Sequence, residues 1–132
     1  MDPALKDGDI IYASSILPYI QEIYRGDIVG ITTKINNVES RIIKRVIGLP
    51  GEHVELKNGK LYINGKILVE PYLADGTFTE GEFNYLLDKD QYIVLGDNRP
   101  GSLDSRDERI GIINKNEIDF VYLKVKENIN NQ

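Results

Sequence analysis

Lys44 stands inside an aliphatic run, with Ile42 and Ile43 before it and Val46 and Ile47 after it. An amine enclosed by aliphatic groups loses hydration, which disfavours the ammonium and lowers the pKa. That is how a lysine becomes a general base near neutral pH. The ordinary alternative is a half-buried strand on which Lys44 points outward and carries its charge to water along its methylene stem.

A second segment dense in acids, bases and hydroxyls follows the apolar run Tyr92-Ile93-Val94-Leu95. It reads Gly96-Asp97-Asn98-Arg99-Pro100-Gly101-Ser102-Leu103-Asp104-Ser105-Arg106. Carboxylate–guanidinium pairs and side-chain-to-backbone bonds can hold such a turn-rich loop rigid, as a catalytic loop requires. A solvated charged loop capped by Asx turns is the alternative. Calcium is set aside, because the D-x-[DN]-x-[DN]-G spacing is absent and arginines interrupt the acids. His53 follows a Pro-Gly turn beside Glu52 and Glu55, with no Ser or Cys in a nucleophile motif nearby, so a surface or half-buried role is expected for it. The chain has no cysteine and one histidine, which removes disulfides, thiol nucleophiles and Cys/His zinc sites.

The elements that must position these residues read as mostly β. In 132 residues there is room for one domain, and 41% hydrophobic with 28% charged residues is ordinary for a globular protein. Short β-branched runs recur between turn signals at 10–12, 28–32, 41–49, 54–56, 61–63, 92–95 and 120–125. Asn58-Gly59 and Asn64-Gly65 predict tight turns in a small meander over about 52–70. Ile16, Tyr19, Ile20 and Ile23 fit a helical face that Pro18 limits to a short helix or 3-10 segment. Residues 74–90 read as a long surface loop with a short strand at 83–86, and 126–132 as a polar tail after a domain spanning 1–125. Sixteen Lys+Arg against 21 Asp+Glu, a net charge of −5, argue against nucleic acid as a partner. No apolar run approaches the ~18 residues of a membrane-spanning helix, so these residues are expected to form a soluble domain.

Five ordered motifs together resemble the type I signal peptidases, membrane-anchored Ser-Lys endopeptidases that remove signal peptides. The family pattern Ser-Met-x-Pro-Thr-Leu-x-x-Gly-Asp is similar to Met1-Asp2-Pro3-Ala4-Leu5-Lys6-Asp7-Gly8-Asp9, and Arg-Gly-Asp-Ile-Val to Arg25-Gly26-Asp27-Ile28-Val29. The lysine box Lys-Arg-Val-Ile-Gly-Leu-Pro-Gly-Asp matches 44–52 with Glu52 as the changed acid. Asn-Gly-x-x-x-x-Glu-Pro-Tyr matches 64–72, and the box Gly-Asp-Asn-Arg-x-x-Ser-x-Asp-Ser-Arg is complete at 96–106. Breadth and order of this kind favour the base over the outward-pointing reading of Lys44. The short chain resembles the compact Gram-positive form.

The resemblance implies a fold of coiled antiparallel sheets with one short helix, and it implies no cofactor or metal. By position, Lys44 resembles the general base and Ser102 the hydroxyl that orients it. Asp104 and Arg106 resemble a buried pair holding the loop, and Asp97 the partner of Arg45. Met1, Leu5, Ile42 and Ile43 resemble the walls of pockets for small substrate residues, with Asp2 and Pro3 completing the substrate-binding motif. The implied substrates are signal peptides of exported preproteins, pilins among them. The implied location is the extracytoplasmic face of the bacterial plasma membrane, reached through an anchor outside these residues. Ala4 departs from the usual Thr. The nucleophilic serine is expected immediately before Met1, in a longer parent trimmed after it together with the anchor. Ser14 and Ser15 do not match the motif. A non-catalytic signal-peptidase-like binder of exported subunits, such as a pilus assembly factor, is the alternative. A self-cleaving repressor-type Ser-Lys protease is disfavoured by the complete 96–106 box and by the lack of a DNA-binding segment.

Overall fold

The computed structural model describes residues 11–14 and 22–124, and its strands form two antiparallel sheets. The larger has six strands in the order β1-β10-β2-β3-β8-β9. These are β1 Ile11–Ser14, β2 Ile28–Ile35, β3 Val38–Gly48, β8 Gln91–Leu95, β9 Ile113–Asn114 and β10 Ile118–Lys124. The smaller has the order β6-β5-β4-β7, from β4 His53–Lys57, β5 Lys60–Ile63, β6 Lys66–Ile67 and β7 Phe83–Leu86. The mostly β reading, the meander and the short strand at 83–86 are all present.

Turn chemistry explains the hairpins. Asn58-Gly59 joins β4 to β5 and Asn64-Gly65 joins β5 to β6, each pair with positive φ at both residues. A third hairpin escaped the sequence reading because its turn is Asn36-Asn37. Both asparagines are left-handed, at φ 51° and 65°, between the paired Ile35 and Val38. Asparagine tolerates that conformation, so the pair does the work of Asn-Gly and extends β2 and β3 beyond their apolar cores.

Two apolar clusters lie on either side of the central strands. Val46 and Val94 join Val29, Ile31, Tyr92, Ile113 and Val121 in one, whereas Ile47, Ile93 and Leu95 join Val54, Leu56, Leu61 and Leu87 in the other. Alternation along β3 and β8 sends neighbouring residues to opposite faces, which makes these strands the wall between the two clusters. An irregularity in the pairing between Val46 and Gly48 bends β3 there. Each fully buried aliphatic side chain contributes roughly 1.5–3 kcal/mol, so this double core fixes the strand that carries Lys44.

The helical content of the described residues is two single 3-10 turns, Arg99–Gly101 and Lys115–Glu117. Pro100 follows Arg99 in the first, at a position where its missing N–H has no cost. Most of the helix expected over 16–24 lies outside the described residues, and 22–24 run irregularly into the turn at Arg25-Gly26. Loop 74–82 is less superficial than expected, since Thr79 is buried within it.

Candidate active site

β3 has a different neighbour at each stage of its length. It pairs with β2 from Val38 to Arg45 and with β8 only from Arg45 to Gly48. Over residues 38–44 its second edge carries no strand among the described residues. Lys44 closes that open edge at the point where β8 ends and the 96–106 loop begins.

The loop folds back beside Lys44 because its own side chains return it to β8. Ser105 receives the Val94 N–H on Oγ at 2.9 Å and gives its backbone N–H to the Val94 carbonyl at 3.0 Å. Asp104 Oδ2 accepts the Gly96 N–H at 3.0 Å. Arg106 grips Asp104 with two parallel bonds, Nε to Oδ1 and Nη2 to Oδ2, both 2.8 Å. The turn thereby places Ser102 on Lys44, with 2.9 Å between Nζ and Oγ across 58 residues of chain.

Lys44 is half-buried. Burial pushes its pKa below the ordinary lysine value, Asp104 pulls it back up, and Arg106 pushes it down. The arrangement is a half-buried amine in contact with a hydroxyl, at a strand edge that no strand covers among the described residues. Such an amine can take a proton from a hydroxyl brought to that edge.

Arg45 points to the opposite face. Its guanidinium meets Asp97 with Nε to Oδ1 at 2.9 Å and Nη2 to Oδ2 at 2.7 Å, and Nη1 reaches the Gly26 carbonyl at 2.8 Å. The Tyr72 ring covers it, 4.0 Å from the guanidinium carbon to the ring centroid. The Arg25-Gly26-Asp27 turn is tied in from its other end. Arg25 makes two 2.7 Å bonds to Glu52, whose Oε1 also accepts the Leu49 N–H at 2.7 Å.

A family model described as "Signal peptidase, peptidase S26" matches residues 1–121. The chain belongs to the signal peptidase family. A signal peptidase I of Bacillus amyloliquefaciens is 45% identical over 130 residues, covering 89% of this chain and 64% of that protein. One of Bacillus licheniformis is 39% identical over 140 residues, covering 96% and 74%. The crystal structure of a signal peptidase I from Enterococcus faecalis superposes with a TM-score of 0.63 at 33% identity, covering 77% of this chain and 97% of that one. The chain spans about two thirds of the length of the curated relatives it matches, between 64% and 74% for these two.

Within this signal peptidase domain, Lys44, Ser102, Asp104 and Arg106 come together on one face of β3, and Arg45 and Asp97 pair on the other. Ile42 packs against the first apolar cluster, and Ile43 is 39% exposed. Met1, Asp2, Pro3 and Leu5 lie outside the described residues. His53 sits on β4 and bonds Asn84 of β7, with no bond to Lys44 or Ser102. Residues for which sequence reasoning assigned no role are also part of it. Arg99, 1% exposed, reaches Glu70, Thr79 and the Gly96 carbonyl. Glu70-Pro71-Tyr72 stood out as a motif, but only the fold shows what Glu70 and Tyr72 touch.

Proposed function

We propose that this chain is the catalytic domain of a serine endopeptidase that cleaves signal peptides from exported preproteins after small residues, using a Ser-Lys dyad. The observation that carries this reading is the 2.9 Å contact between the half-buried Lys44 amine and Ser102 at the open edge of β3. Neutral Lys44 takes the proton from a serine hydroxyl, which attacks the scissile carbonyl. The resulting lysinium returns the proton to the leaving amine, and the base then activates the water that hydrolyses the acyl-enzyme. Ser102 aims the amine at the attacking oxygen. The substrate lies extended along residues 38–44 and makes backbone bonds to the free edge. In this reading Ile42 and Ile43, with Met1 and Leu5, wall the pockets for its small side chains, and Asp2 and Pro3 belong to the same substrate-binding motif.

The family motif puts the nucleophile at the position immediately before Met1. In this reading a protein of these 132 residues alone, with no serine before Met1, is expected not to cleave the substrate. In this reading the protein works at the outer face of the bacterial plasma membrane.

The test is a protein extended upstream by several native residues through the serine, without the anchor. Several residues are needed because a free α-amine on the serine would put a charge beside Lys44, and the oxyanion site needs the preceding backbone. It is expected to cleave a signal-peptide substrate ending in Ala-x-Ala, with activity rising with pH as Lys44 deprotonates. Lys44→Ala and Lys44→Arg abolish turnover, the second because guanidinium stays charged. Equal cleavage with Lys44→Ala would sink the dyad. An extended protein that binds the peptide without cutting it would favour the binding-protein reading instead.

A further inference from the structure

Glu70, just after β6, reaches both sides of the site, and none of its bonds goes to Lys44 or Ser102. On one side its carboxylate takes two bonds from Arg99, and on the other it accepts the Tyr72 hydroxyl at 2.6 Å. Tyr72 lies on the guanidinium of Arg45, the residue next to Lys44. Arg99 has a fully buried side chain and donates from Nε to the Gly96 carbonyl and from Nη1 to Thr79, each at 2.8 Å. Its own carbonyl accepts Arg106 Nη2 at 2.8 Å, and Arg106 in turn holds Asp104.

These bonds converge on Gly96. Asp104 holds its N–H and Arg99 holds its carbonyl, and Ser102 packs directly on its Cα side. We propose that Glu70 is a positioning residue of the proteolytic site, which by anchoring Arg99 fixes the Gly96 peptide and so keeps Ser102 in contact with Lys44. This rests on the reading of Lys44 as the base. Without the carboxylate, Arg99 is a buried cation with no counter-charge and must move toward water, releasing the Gly96 carbonyl. The loop then loosens over Lys44 and admits water. Among the described residues, the charges facing Lys44 are Asp104 and Arg106, both on that loop, while Arg45 and Asp97 meet across the strand. Since burial is the main cause of the lowered Lys44 pKa, loosening moves it back up.

Two variants test the idea. Glu70→Gln removes the charge, and Arg99→Lys keeps a cation opposite Glu70 but cannot hold the carboxylate and the Gly96 carbonyl together. The Lys44 amine is titrated by NMR in the 132-residue chain, well below the melting temperature of each variant. Turnover is measured in the protein extended through the serine. In whichever variant folds, the Lys44 midpoint is expected to move up toward an ordinary lysine. kcat should fall roughly ten- to a hundredfold with KM within about twofold, as for misplacement of a reacting group. A folded variant with the parent's Lys44 midpoint and kcat would make Glu70 a stabilising residue only and overturn the proposal. A parent chain in which Lys44 titrates as an ordinary lysine would instead overturn the base reading on which the proposal stands.

Discussion

Gly96 and Ser102 occupy one another's space: a Cβ on residue 96 would stand 2.0 Å from Ser102 Oγ and 3.4 Å from Lys44 Nζ. The glycine is therefore required by close approach, since its φ is not in the left-handed region. Gly96→Ala should push Ser102 off the lysine and cost about 1–3 kcal/mol through overpacking. Denaturant melts together with cleavage assays on the serine-extended protein will check it. Parental stability and turnover would show that the loop yields freely at this point.

Lys44 makes stability depend on alkaline pH. Its folded pKa lies below the unfolded value of about 10.4, so the unfolded chain binds more protons between the two, and unfolding free energy should rise with pH across that interval. Lys44→Met removes this site's dependence. Comparing the two proteins by urea melts from neutral pH upward should show the parent gaining on the variant, and parallel curves would contradict the buried amine.

Asp104 and Arg106 form a pair with side-chain exposures of 0% and 11%. Removing one partner leaves a buried charge without its counter-ion, so Asp104→Ala or Arg106→Ala should cost ~3–5 kcal/mol, against about 0–1 kcal/mol for a solvated pair. Burial alone would raise the Asp104 pKa. The bonds from the Arg106 side chain, the Gly96 N–H and the Arg106 N–H outweigh it and hold the carboxyl below its usual range. The stabilisation is thus present above the unfolded pKa of about 3.9 and is lost as pH falls through the folded value. Acid titration of the melts should place the loss there, and it should be absent from Asp104→Ala.

Glu52 joins the Arg25 turn to the Gly48-Leu49-Pro50-Gly51 turn at the end of β3. Burial pushes its pKa up, and the bonds from Arg25 and the Leu49 N–H bring it below the usual value. Glu52→Ala is expected to cost about 1–3 kcal/mol, the range for charge-assisted bonds left unmade. Glu52→Asp restores the acid of the family pattern at one methylene less and should recover part of that loss in thermal melts. No change in Glu52→Ala would mean that the turn holds itself.

Local signals in the chain are sufficient for most of the strands, though not for the two-residue β9 at Ile113–Asn114, and for the Asn-Gly hairpins and the ordered motifs that mark the family. Alternation and turn chemistry act between near neighbours, so residue order alone reports them. Asn36-Asn37 was missed for a local reason as well, because asparagine is a weaker indicator of left-handed backbone than the Asn-Gly pair. Whether Lys44 snorkels to water or stays half-buried could not be read from its neighbours Ile43 and Arg45, because those point to the other face of β3. Its surroundings are set by Ser102, 58 residues away, as those of Arg99 are set by Glu70, 29 residues away. Only the tertiary structure decides such matters, since desolvation and ion pairing depend on which distant segments close over a side chain, and that closure is made by the two cores and the bend in β3.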